Sequence, residues 1–162
     1  MAKLIAIPIG MLVFGLSMFS CGGKSKSTAE MSSHANLPRV AIIVRESPFK
    51  DMLVNRFVED YEKTTALTIM DISKLNDLDE NVYDALVVMG ARMGFLMFSV
   101  KERQFLKKLH HPEKLVLLMT AAASEWKWDR DDVDVITGAS ETENLDPLYT
   151  EMRQKLDAIL AR

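Results

Sequence analysis

This chain has one cysteine, Cys21, in 162 residues. A single cysteine cannot close a disulfide within the chain, and there is no Cys-x-x-Cys pair for thiol redox chemistry or a zinc site. There is no Gly-x-x-x-x-Gly-Lys-Ser/Thr loop for a nucleoside triphosphate. No Gly-x-Ser-x-Gly elbow or other Ser, His and Asp arrangement marks a hydrolase. Basic charge is not in excess: 20 Lys and Arg stand against 23 Asp and Glu, a formal net charge of −3. That balance argues against nucleic acid as a partner. Eleven methionines could suggest soft-metal binding. With only three histidines and one cysteine in the chain, they read as core filler instead, and no metal site is expected.

The first two dozen residues are the most informative. Lys3 is followed by an apolar run, Leu4 to Phe19, that is shorter than the roughly 20 residues of a bilayer-spanning helix. The run ends at Ser20-Cys21-Gly22. A short positive start, an apolar core and a small residue before a cysteine resemble a bacterial lipoprotein signal. That resemblance implies cleavage after residue 20, acylation of Cys21 and a partnership with the membrane through that lipid. Gly22 is not the aspartate that holds such proteins in an inner membrane, so the outer membrane of the cell envelope is favoured where a cell has two. Residues 21–37 are rich in Ser, Lys and Gly and read as a flexible tether. Residues 38–162 are one domain's worth of chain.

Within that domain, short runs of β-branched and aliphatic residues alternate with helical patterns. Arg39–Val44, Leu67–Ile72, Ala85–Met89, Leu115–Met119 and Val133–Thr137 read as strands, most of them buried on both faces. Ser47-Pro48 reads as an N-cap with proline at the first helical position. Ser99-x-x-Glu102 is a capping box that opens a helix running to about His110. Asp146-Pro147 reads as the cap of a last helix. Strands alternating with helices imply parallel βα units, and so an α/β three-layer sandwich.

From Arg39 onward the chain resembles flavodoxin-fold domains. The resemblance is carried by Arg39–Val44, Tyr83–Gly90 and Lys114–Thr120, and by Ser124-Glu-Trp-Lys-Trp with Val133-Asp-Val-Ile-Thr-Gly-Ala-Ser140. This last part resembles a set of exported flavodoxin-like domains. The resemblance implies a five-stranded parallel sheet of order 2-1-3-4-5, with ligands bound at the carboxyl ends of the strands. It further implies FMN, or another anionic ligand, among Arg45, Ser47, Lys50, Arg92, Trp126, Trp128 and Ser140. In this role Trp126 and Trp128 would lie against a flavin ring. Asp134-Val-Ile-Thr-Gly-Ala-Ser140 also resembles the motif on which flavin transferases attach FMN to a hydroxyl, which would make Ser140 a covalent acceptor. A plain βα turn, with Gly138 leaving the strand, explains the same residues.

The chain departs from flavodoxins in the loop after the first strand. Arg45-Glu46-Ser47-Pro48-Phe49-Lys50 replaces a loop rich in hydroxyls and amides. Pro48 lacks an amide donor and Glu46 adds negative charge where a phosphate would sit. The Gly90–Phe98 loop is apolar enough to cover a ligand or to meet a partner. Two functions therefore fit: envelope electron transfer with FMN, or a non-enzymatic module that docks an envelope protein. No catalytic residue set is legible, and the balance leans away from catalysis.

Overall fold

The structure, a computed structural model, describes residues 29–31, 37–92, 99–121 and 134–162. Six strands form one sheet: β1 (Ala29–Met31), β2 (Arg39–Val44), β3 (Ala66–Asp71), β4 (Ala85–Ala91), β5 (Leu115–Ala121) and β6 (Val135–Ala139), in the order β1-β3-β2-β4-β5-β6. The neighbours from β3 to β6 pair in parallel. Those five strands have the order 2-1-3-4-5, as the resemblance implied.

Val40–Val44, Ala85–Met89 and Val116–Met119 are all buried, because helical layers cover both faces of the sheet. On one face lie α1 (Pro48–Tyr61) and α3 (Leu145–Leu160). Phe49, Leu53 and Phe57 of α1, with Leu148, Met152 and Leu156 of α3, pack on Val40, Ile42, Val87, Met89 and Leu118. On the other face lie α2 (Val100–Lys108) and a 3-10 turn, Ile72–Asp77. There Phe105, Ile72 and Leu75 pack on Ala41, Ile43, Leu86, Val88 and Leu117.

The α1–α3 seam is tied by paired polar groups. Tyr61 donates from its hydroxyl to Asp157 at 2.5 Å, and Tyr149 donates to Asp60 at 2.7 Å. Arg153 bridges Asp60 at 3.0 Å and Asp157 at 3.7 Å. Phe57 lies between the two tyrosines, with ring centroids at 5.9 Å from Tyr61 and 5.0 Å from Tyr149.

Several local readings need correction. The stretch read as a tether contributes β1, which pairs antiparallel with β3. Gly138 does not turn the chain out of its strand, since β6 continues to Ala139. What requires a glycine there is α3: a Cβ on Gly138 would lie 2.8 Å from Leu148 Cδ1. The last helix begins at Leu145, after a 3-10 turn over Thr142–Asn144, so Asp146 falls in its first turn and pairs with Arg56 at 2.5 Å instead of capping. Just beyond α2, His110 and His111 have their backbone amides held by Glu80 at 2.9 to 3.2 Å. Burial alone would push the Glu80 carboxyl up, but these hydrogen bonds outweigh it and hold the group below its ordinary range.

Candidate functional site

In the parallel sheet the chain leaves β2 for β3 on one side and later crosses to β4 on the other. The gap beyond the carboxyl ends of β2 and β4 is therefore the topological switch point, where open α/β sheets bind ligands. The loops there remain tied to the sheet ladder. The Arg45 amide donates to the Met89 carbonyl at 3.0 Å, and the Arg92 amide donates to the Thr120 carbonyl at 2.8 Å.

The loop between β2 and α1 is only Arg45, Glu46 and Ser47. Ser47 is the N-cap in extended conformation, and its hydroxyl accepts from the Lys50 amide at 3.3 Å. That leaves Pro48 at the first helical position, with no N–H, and a Lys50 amide already bonded. The Lys50 amide is thus committed to starting the helix, and position 48 offers no amide at all.

The Lys50 side chain turns inward and is only 2% exposed. Burial, and then the nearby Arg45 guanidinium, lower its pKa to about 8, with Glu102 acting in the opposite sense. Glu102 is 1% exposed although it lies in the first turn of α2. Its Oε2 accepts from the Ser99 amide at 2.6 Å, and the Ser99 hydroxyl accepts from the Glu102 amide at 3.3 Å, completing the capping box. Its Oε1 faces Arg45, whose Nη2 is 3.8 Å away, an ion pair too long to be a hydrogen bond. Glu102 Oε1 and Arg45 Nε are both buried without a hydrogen-bond partner among the described residues.

Gly90 makes this carboxylate's position available. A Cβ there would lie 2.6 Å from Glu102 Oε1 and 2.5 Å from Met119 Sδ. Asp71, at the end of β3, completes the surroundings of Arg45. Hydrogen bonds from Ser73 hold its carboxyl below the usual range, and Arg45 adds to that effect. Arg45 thus has two carboxylates beside it, Glu102 and Asp71.

The structure brings Arg45, Ser47 and Lys50 together and places Arg92, half-buried, at the end of the adjacent β4. Ser140 is exposed just after β6, and its amide donates to the Ala121 carbonyl at 3.3 Å. It lies on the same edge but three strand spacings from β2, about 14 Å, so it is not part of the Arg45–Lys50 cluster. Trp126, Trp128 and Cys21 lie outside the described residues. The sequence did not mark Glu102 as a site residue, and it showed Gly90 only as the start of an apolar loop. Glu102 showed only its capping role, because the capping box is a local pattern whereas the contact with Arg45 crosses from β2 to α2. Among the described residues no group of three or more His, Cys, Asp or Glu is placed to hold a metal ion.

No protein-family model matches this sequence, and no curated protein does. Solved structures match in fold. Oxidised flavodoxin 2 from Bacillus cereus superposes with a TM-score of 0.51 at 9% identity, over 75% of this chain and 99% of that one. A flavodoxin from the domain Archaea gives a TM-score of 0.45 at 8% identity, covering 75% of this chain and 97% of that one. Flavodoxin 1 from Bacillus cereus gives 0.43 at 9% identity, covering 74% and 97%. Strand order and superposition together define a flavodoxin-like α/β fold.

Proposed function

We propose that this is a lipoprotein anchored to the cell envelope through Cys21, whose flavodoxin-like domain docks an envelope partner and carries no catalysis of its own. The observation behind this reading is Glu102. A buried carboxylate of the chain itself covers the end of β4 at the switch point and takes the side of Arg45 that an anionic ligand would need. A phosphate beside Arg45 would also meet the Glu102 and Asp71 carboxylates, at a helix start where Pro48 has no amide and the Lys50 amide is already bonded. The residues present do not fit the usual FMN phosphate cradle, although the fold would otherwise suggest that cofactor.

A second reading rests on one specific observation. Arg45 Nε and Glu102 Oε1, which have no hydrogen-bond partner among the described residues, are a donor and an acceptor that a ligand carrying hydroxyls would satisfy. In that reading FMN binds non-covalently at the strand ends, or is tethered at Ser140, and the protein transfers electrons in the envelope.

An absorbance spectrum of the lipoprotein purified from its own host's membranes separates the two. Docking without cofactor predicts no flavin bands. Yellow colour that stays with the acid-precipitated protein would mean covalent flavin, and Ser140→Ala should abolish it. Colour released by acid would mean FMN held at the strand ends. Either form of bound flavin would overturn the first reading.

A further inference from the structure

The two helical layers carry opposite charge on their outer faces. On α1 and α3 the acids that reach solvent are Asp51, Glu59, Asp60, Asp146, Glu151 and Asp157. The outer bases there are tied down: Arg56 pairs with Asp146, Arg153 with Asp60 and Asp157, and Lys155 with Asp134. Across the sheet, α2 exposes Lys101, Arg103, Lys107 and Lys108. Its single acid, Glu102, is buried. None of the four cations is in an ion pair among the described residues. Lys101 only approaches the Ser73 carbonyl, at 3.5 Å.

Helix stability does not account for this basic face. The macrodipole favours cations in the last turn, where Lys107 and Lys108 sit, and disfavours them near the start, where Lys101 and Arg103 sit. Arg103 and Lys107 are also like charges one turn apart, which weakens a helix. The cavity beside this face, at Lys108 and Leu109, has a volume of about 60 Å³. Small-molecule sites begin at roughly 300 Å³. Four unpaired cations without a cavity to match suit a broad anionic surface, not a small anion. Val100, the first residue of α2, stands 59% exposed beside them, an apolar group that the boundary of a lipid bilayer accepts.

We propose that the outer face of α2 rests on an anionic bilayer surface. The proposal builds on the lipoprotein reading, in which the anchor supplies proximity, while α2 supplies orientation. Attraction of Lys and Arg to anionic headgroups fades within a Debye length, about 8 Å at physiological salt. The cations of α2 therefore act only when their face lies against the surface, and the acidic face of α1 and α3 is turned to water. A second copy of the chain fits less well. Asp60, Asp146 and Asp157, which its α1 and α3 would offer, already hold its own arginines. With α2 down, the strands run along the membrane, and the switch-point end faces sideways.

The test uses the full lipoprotein in vesicles of phosphatidylcholine with about 30% phosphatidylglycerol and an energy-transfer acceptor on the headgroups. A single introduced cysteine carries the donor dye: Gln104→Cys on the outer face of α2, or Gln154→Cys on the outer face of α3. Neither changes the charge. Transfer about twofold more efficient from position 104 is expected. The difference should vanish without phosphatidylglycerol, and in about 1 M salt, where the Debye length falls to roughly 3 Å. It should also vanish when Lys101→Gln, Arg103→Gln, Lys107→Gln and Lys108→Gln are combined. Equal transfer, greater transfer from position 154, or a difference that persists without anionic lipid overturns the proposal. Equal transfer together with self-association that the combined variant abolishes would give the face to a second copy instead. The mass of the Cys21 peptide reports the anchor alone. A Cys21→Ser chain, which cannot be acylated, judges α2 without it. About fivefold more of that chain should sediment with the anionic vesicles than with neutral ones, and no excess overturns the proposal.

Discussion

Two polar networks in this domain are built on opposite terms. In the α1–α3 seam, Tyr61 and Tyr149 each donate to a carboxylate at 2.5 and 2.7 Å, and Arg153 closes the gap between those carboxylates. These groups lie at the rim of the core, partly open to water. At the switch point, Lys50 and Glu102 are almost wholly buried, the Arg45–Glu102 pair is stretched to 3.8 Å, and one atom on each of Arg45 and Glu102 has no hydrogen bond among the described residues. The first network satisfies its groups and stabilises the fold. The second leaves buried polar groups short of partners, which costs free energy.

The contrast can be broken at several points. Phe57, wholly buried between the two tyrosines, should show the largest effect. Phe57→Ala is expected to cost about 4 kcal/mol by chemical denaturation, from lost burial and the cavity left behind. Gly90→Val comes next, at about 3 kcal/mol, since its side chain must displace Met119 and the Glu102 carboxylate together. A melt unchanged by Gly90→Val would mean that the carboxylate does not sit where described.

Lys50→Met should act in the opposite direction and stabilise the protein by roughly 2 kcal/mol, because it removes a buried charge and fills the same space. Its pH signature sharpens the point. The folded pKa of about 8 lies below the ordinary lysine value of 10.5, so between those values the unfolded chain holds a proton that the folded chain has released. Stability should therefore rise with pH from about 8. Above about 10 the tyrosines reverse the trend. Tyr61 and Tyr149 are held above their ordinary value by burial and by their aspartate partners, so the stability they contribute is lost as the unfolded chain ionises. In Lys50→Met the rise should vanish and only the fall remain. Tyr61→Phe is the smallest change, about 1 kcal/mol for the hydrogen bond to Asp157. A Lys50→Met variant less stable than Tyr61→Phe would erase the distinction between the two networks.

Much of the fold was legible because buried parallel strands are written as β-branched and aliphatic runs, and because Ser47 and Ser99 announce their helices. The features that escaped depend on long-range contacts. Ala29–Met31 carries no strand pattern, and what makes it a strand is the open edge of β3. Gly138 is explained by a leucine on α3, ten residues along the chain. Arg45 and Lys50 could be placed at the site from the βα turn they flank. Glu102 could not, since its position over Gly90 depends on how α2 packs against the sheet. Ser140 fell at the expected strand end, but strand order separates it from the cluster.

The most direct test of the account is a titration of the purified protein with FMN, followed by quenching of flavin fluorescence, for the unaltered chain and for Glu102→Gln. If the chain's own carboxylate closes the switch point, the unaltered protein leaves the fluorescence unquenched at micromolar concentrations. Saturable quenching by the unaltered protein, weakened by Glu102→Gln, would contradict that claim and make Glu102 a ligand for flavin.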